Sequence, residues 1–255
     1  MHCRHSAAAL PNTCASCLGC KYMERRQFLT TCAVLSGAGF VAGDGARADT
    51  PPRWYSRTRL TDIHGRPIRA RDLAADTNYV FQYPFAATPC FLVKLSRPVA
   101  LTANLKREDG TAYAWHGGVG EDRKLVAFSA ICAHKLAYPT REVSFIRFQR
   151  ERSATSGAQV IHCCADHSVY DPAEGARVVA GPAPQPLAAI MLEYDSAEDG
   201  LYALGTQGAE QFDAFFTKYR LKLSLEYGQQ GGRALVRGNT IVRELSNYCR
   251  TTIQC

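Results

Sequence analysis

The sequence predicts an all-β, antiparallel fold with long loops, and three observations carry that prediction. β-like runs recur at short intervals from residue 78 to residue 206. Turn-forming clusters such as "HGGVGED", "ATSGA", "DPAEG" and "DSAEDG" lie between several of them. No long amphipathic helix interrupts the series before "GAEQFDAFFTKY", residues 208–219, which reads as one short helix.

Taken in order, "DTPPRWYSRTRL" reads as an extended leader. The strands expected after it are "NYVFQYPF", "PCFLVKLS", "KLVAFSAICA", "EVSFIRFQ", "AQVIHCC", "ARVVAG", "AAIMLEYD" and "GLYALGT". Each is rich in the β-branched and aromatic residues that suit a pleated, half-buried surface. Beyond Leu221 the segments "RLKLSLEY" and "NTIVREL" read as β-like again. Repeats and low-complexity tracts are absent from the sequence. Strands at this spacing, with turns between them, fit a sandwich or a barrel.

The N-terminal region is of a different kind. Arg25 and Arg26 form a twin-arginine pair, and a mildly apolar run follows from Phe28 to about Gly43. An "ARA" site then precedes Asp49. This predicts a Tat-type signal over residues 23–48, cleaved between Ala48 and Asp49, and hence a periplasmic protein. The run is short and polar for a bilayer span of about 20 apolar residues, so a membrane tie is expected only if the signal stays uncleaved. Met23 reads as the start, with residues 1–22 a misassigned extension whose Cys14, Cys17 and Cys20 have a metal-binding spacing. A Tat passenger crosses the membrane folded, which raises the expectation of a cofactor.

Residues 1–48 hold five of the 30 basic and two of the 23 acidic residues, so residues 49–255 carry a net charge of +4. That balance, with no block of Lys or Arg, gives no ground for a nucleic-acid partner. Of eleven cysteines, six lie beyond the signal: Cys90, Cys132, Cys163, Cys164, Cys249 and Cys255. An oxidising compartment permits disulfides, and Cys249 with Cys255 is the pair suggested by proximity.

Two boxes carry the chemistry. Cys132-Ala133-His134 ends the apolar strand "KLVAFSAI", and Cys164-Ala165-Asp166-His167 ends "AQVIHC". Each offers one thiolate and one imidazole from a strand-end loop. A structural zinc site is one use of such a set, although zinc sites usually show CxxC or HxxxH pairs. CxH followed by CxxH is the ligand pattern of a Rieske [2Fe–2S] cluster, in which two cysteines hold one iron and two histidines the other. The expected metal ligands are therefore Cys132, His134, Cys164 and His167.

The surroundings resemble that family. "GPAPQPL", beginning Gly181-Pro182, is similar to the proline-rich loop covering the cluster, and "HSVYDP" to the segment after its second histidine. The resemblance implies that Tyr170 hydrogen-bonds a cysteine sulfur and Ser168 a bridging sulfide. "YPFAATPCFLVKL", "GGVGEDRKLVAFSAICAH", "YDPAEGARVVAGPAP" and "IMLEYDSAEDGLYALGTQG" resemble the small, Tat-exported Rieske subunit of arsenite oxidase. This implies an antiparallel Rieske-type β-sandwich over residues 49–210, with a cluster-binding subdomain of two loops. It further implies a large molybdopterin subunit as electron donor and a periplasmic cytochrome c or cupredoxin as acceptor. The chain would be an electron-transfer subunit and not a catalyst by itself. Residues 211–255 have no counterpart and read as an extension for docking.

Three departures bear on the site. The places of the extra cysteines that many Rieske proteins join as a disulfide hold Ala137 and Asp166, so that disulfide is absent. Between His134 and Cys164 lie 29 residues, a long gap that includes "RFQRERSATSGAQ", read as a longer hairpin. His167 is one residue closer to "YDP" than expected. An ungapped count aligns Cys163 with the ligand cysteine, whereas the CxxH spacing favours Cys164. His162 reads as a strand residue. The alternatives to a molybdoenzyme subunit are the Rieske subunit of a quinol-oxidising cytochrome bc-type complex and a stand-alone periplasmic carrier. A ring-oxygenase role would need a further iron domain, for which the chain is too short.

Overall fold

The computed structural model describes residues 50–255, and the expected signal and the CxxCxxC stretch lie outside them. The chain opens with β1 (Arg53–Thr61), β2 (Tyr79–Gln82) and β3 (Pro89–Lys94), followed by the hairpin β4 (Ala103–Lys106) and β5 (Ala112–Trp115), then β6 (Leu125–Ser129). Next come β7 (Val143–Ser144), β8 (Ile146–Gln149), β9 (Val160–Cys163), β10 (Ser168–Asp171) and β11 (Arg177–Ala180). The long strands β12 (Ala189–Asp195) and β13 (Gly200–Gln207) come next, and β4, β5 and β10 have no counterpart among the strands read from the sequence. Two helices follow, α1 (Phe212–Lys218) and α2 (Arg220–Tyr227), then β14 (Gly238–Ile241), β15 (Arg243–Glu244), α3 (Leu245–Tyr248) and β16 (Thr251–Thr252).

The all-β expectation holds. One sheet has eight strands in the order β14-β1-β13-β12-β6-β3-β2-β15, and a second has four in the order β11-β10-β9-β8. All pairings in the four-stranded sheet are antiparallel. β6 is buried along its whole length, as expected of a strand covered on both faces, and box 1 begins three residues beyond its end. Box 2 leaves the end of β9, which is paired on both sides. The expected hairpin is present: β8 and β9 pair antiparallel around residues 150–159. The core between the sheets is built from Phe91, Trp115, Phe128, Ile146, Phe148 and Ile161. Each such side chain contributes about 1.5–3 kcal/mol relative to exposure.

Two expectations are corrected. "DTPPRWYSRTRL" is no mere leader: β1 lies inside the large sheet between β13 and β14. "RLKLSLEY" is the helix α2 and not a strand. Its strict alternation of leucine mimics a half-buried strand, but Leu, Lys, Arg and Glu are good helix formers and no β-branched residue opposes them. The helix buries Leu223 and leaves Leu221 and Leu225 72% and 88% exposed. Residues 211–255, read as an extension, belong to the same unit as the strands before them. β14 adds to β1 and β15 to β2, while Phe212, Phe215 and Phe216 of α1 pack on Ala87, Ile131 and Tyr138. Among the described residues no helix is long and apolar enough to cross a membrane.

Candidate metal centre

Strand alternation decides which of the doubled cysteines faces the core. In β9 and β10, Cys163 pairs with Ser168 and Ile161 with Tyr170. Successive side chains of a strand point to opposite faces, so Ile161, Cys163, Ser168 and Tyr170 share one face. That face is buried, and Cys163 and Tyr170 lie in the same core cluster as Cys132. Cys164, one residue on, turns away from it. It forms a disulfide with Cys255, 91 residues later, with the two Cα atoms 5.7 Å apart. The structure therefore places Cys163, and not the expected Cys164, beside Cys132. The same bond replaces the expected Cys249–Cys255 pair, since Cys249 is a free, buried thiol. It also means that the second box is cross-linked after all, to the C-terminus rather than to the first box.

The Cys132 loop is tightly closed. The Cys132 N–H donates to the Ala137 carbonyl at 2.9 Å, and the Leu136 N–H to the Cys132 carbonyl at 3.0 Å. α1 supports it from behind, because the Gln211 side-chain amide at its N-terminus donates to the Ala133 carbonyl at 3.2 Å. From the facing sheet, the Tyr170 hydroxyl lies 3.5 Å from Cys132 Sγ and accepts from the Ala133 N–H at 3.1 Å. With its oxygen accepting from the backbone, the phenol proton is free to point at the sulfur.

Cys132, Cys163 and Asp166 have their ligand atoms within 4.8 Å of one another. The Asp166 Oδ2 is 3.4 Å from Cys132 Sγ and 2.9 Å from His134 Nδ1. Its Oδ1 accepts from the Ser168 N–H at 3.1 Å. The hydrogen bond from Cys163 and that from Tyr170 draw the Cys132 thiol below its usual range, against burial. Its neighbour Cys163 moves up, because it is the donor to Cys132 and because it is buried. The thiolate is the form of cysteine that binds metal. Burial opposes the charge on Asp166, yet the hydrogen bonds it shares with Cys163, Ser168, Cys132 and His134 hold its carboxyl below the usual range.

His167 stands apart from this group. It is exposed, with a left-handed backbone at φ 59°, and its ring lies 5.8 Å from that of His162. Its metal-capable neighbours are His162 and Cys255. His162 is a buried strand residue, as expected, with Nδ1 2.9 Å from the Ser156 hydroxyl. Asp166, which the sequence offered only as a missing cysteine, is the residue that reasoning from the sequence missed. The adjacency of His134 to it across 32 residues is not visible in the spacing.

The chemistry of this group fits an iron–sulfur cluster. Two buried thiols sit side by side, with a half-buried imidazole and a buried carboxylate beside them. The Ser168 hydroxyl, fully buried above Cys163, has no hydrogen-bond partner. A buried hydroxyl without a partner costs about 1–3 kcal/mol, and an inorganic sulfide is an acceptor that would satisfy it. The loop at Gly181-Pro182 closes over the same strand. Gly181 has φ +84°, and a Cβ there would stand 2.3 Å from the His167 carbonyl oxygen and 2.6 Å from Ser168 Cα. Gly181→Ala is therefore expected to cost at least about 1–2 kcal/mol from the left-handed backbone alone. Thermal unfolding and iron content of the purified variant check this, both falling below wild type.

No family model matches the chain. Among solved structures, the soluble domain of the Rieske protein II (soxF) from Sulfolobus acidocaldarius is similar over 61% of this chain and 82% of that chain, at 26% identity and a TM-score of 0.42. A likeness of that depth does not bear on function, which is read from the residues themselves.

Proposed function

We propose that this chain is a one-electron carrier built on a Rieske-type [2Fe–2S] cluster, with Cys132 and Cys163 as ligands of one iron and His134 of the other. The observation that carries the reading is the meeting of two boxes, 31 residues apart in sequence, at one buried pair of sulfurs. When bound, such a cluster supplies one-electron redox chemistry in a window of about −150 to +300 mV. The protein's part is to hold the thiolates, to exclude water from them, and to set the potential through hydrogen bonds.

Tyr170 is the clearest such donor. A hydrogen bond to a ligand sulfur favours the more negative, reduced state. Tyr170→Phe keeps the ring and removes the hydroxyl 3.5 Å from Cys132, so the potential is expected to fall with the fold intact. Protein-film voltammetry checks it. A potential equal to or above that of wild type would contradict the role.

The four segments that resemble the small subunit of arsenite oxidase support a finer reading. In it the chain is exported by the Tat route to the periplasm and sits on a large molybdopterin subunit. It passes electrons to a periplasmic cytochrome c or cupredoxin. Isolation of the native protein tests this: co-purification with a molybdenum-containing large chain is the expected result, and a monomer free of partners is the contrary one.

A second reading has one specific observation in its favour. The close grouping of Cys132, Cys163, Asp166 and His134 also suits a single tetrahedral cation. Metal and acid-labile sulfide analysis separates the two. Iron and sulfide in equal amounts support the cluster; zinc without sulfide supports the single cation.

A further inference from the structure

We propose that Asp166, and not His167, is the fourth ligand of the metal centre, giving a Cys132–Cys163–His134–Asp166 set. The inference rests on the cluster reading above. A two-iron cluster needs its ligand atoms in two adjacent pairs, one pair for each iron. The sulfurs of Cys132 and Cys163 form one pair, and Asp166 Oδ2 joins His134, 2.9 Å from its Nδ1, while lying 3.4 Å from Cys132 Sγ. His167 joins neither. It is exposed and turned towards His162 and the Cys164–Cys255 bond.

The burial of Asp166 points the same way. Its side chain is 2% exposed, and its one ion-pair partner among the described residues is His134. A carboxylate taken out of water is expensive unless it is paired with a full positive charge or coordinates a metal. No arginine or lysine forms an ion pair with it among the described residues. Its environment is two thiols, an imidazole and a backbone N–H.

The carboxylate is also oriented for the task. Oδ1 is engaged by the Ser168 N–H, which leaves Oδ2 directed at Cys132 and His134. A ligand fixed through its second atom is the usual support of a metal site. The Ser168 N–H itself is held by strand β10, so the aim of the carboxylate is set by the sheet and not by a free loop.

The test uses the full-length holoprotein and three variants: Asp166→Ala, Asp166→His and His167→Ala. Iron and acid-labile sulfide are assayed, circular dichroism checks folding, and pulsed EPR of the reduced state counts strongly coupled imidazole nitrogens. Wild type is expected to show one such nitrogen. His167→Ala is expected to keep full iron and the same single coupling, Asp166→Ala to lose most of its iron, and Asp166→His to show two couplings and a higher potential. Two couplings in wild type, with one lost in His167→Ala, would overturn the assignment while leaving the cluster reading intact. Asp166→Ala that folds and keeps all its iron would overturn it as well. If Asp166→Ala fails to fold, the nitrogen counts in wild type and in His167→Ala decide alone. Wild type without iron and sulfide would instead remove the cluster reading beneath it.

Discussion

Cys163→Ser is expected to abolish cluster assembly, and Cys164→Ser to retain it. The two residues are neighbours, so the contrast isolates the effect of facing. Cys163 lies on the buried face of β9 with Ile161, opposite Ser168, and its sulfur stands with that of Cys132. Replacing it removes one of the two thiolates and leaves the other without its partner. Cys164 lies past the strand end, and its sulfur is already bonded to Cys255. Its loss leaves the ligand pair untouched. Iron, sulfide and the visible spectrum of both variants, measured well below their melting temperatures, check this. Loss of iron in Cys164→Ser with retention in Cys163→Ser would reverse the assignment.

The second large effect is on stability. Cys255→Ser, or reduction of the wild-type bond, releases a cross-link spanning 91 residues. The chain-entropy account puts closure of a loop of that length at about 4–5 kcal/mol, within the usual 2–5 kcal/mol for a native disulfide. For a domain of this size about 1 kcal/mol moves the melting temperature by roughly 2–4 °C, so a fall of about 8–20 °C is expected. The structural reason is local as well as global. The tail after Cys249 is held by β16, which adds in parallel to the two-residue strand β7. The Arg147 guanidinium also donates to the Ile253 carbonyl at 3.3 Å. Such a short strand cannot hold the tail alone, so β7 and β16 are expected to lose amide-exchange protection first. Equal melting curves for wild type and Cys255→Ser would contradict this.

Much of this molecule is legible in its sequence because strands declare themselves by composition. "KLVAFSAI" and "GLYALGT" are apolar runs with turn residues at their borders, and they became β6 and β13. The hairpin of β4 and β5 turns on Asp109-Gly110, a turn signal that was there to be read. α2 was misread because alternation of leucine with charged residues is degenerate between a strand and a poorly amphipathic helix. The pairing of β1 with β14, across about 180 residues, has no local signature at all.

The site was legible in its parts and not in its arrangement. Cys132 and His134 lie in one loop, and the structure brings both to the group with Cys163 and Asp166. In the second box a motif count competed with the two-residue period of a strand, and the period decides, because a buried sheet fixes which face each residue takes. The partner of Cys164 was hidden for the opposite reason. Cys249 is nearer to Cys255 in sequence, but the tail runs along β7 and carries Cys255 to the end of β9. The role of Asp166 depends on His134 and Cys132 arriving from another sheet, which no spacing within the box records.

The most direct test of the central claim is Mössbauer spectroscopy of the holoprotein enriched in iron-57, before and after one-electron reduction. The account predicts two inequivalent irons, one with sulfur ligands only and one with nitrogen and oxygen ligands that takes up the added electron. A single iron site, or a chain that holds zinc and no acid-labile sulfide, would contradict it.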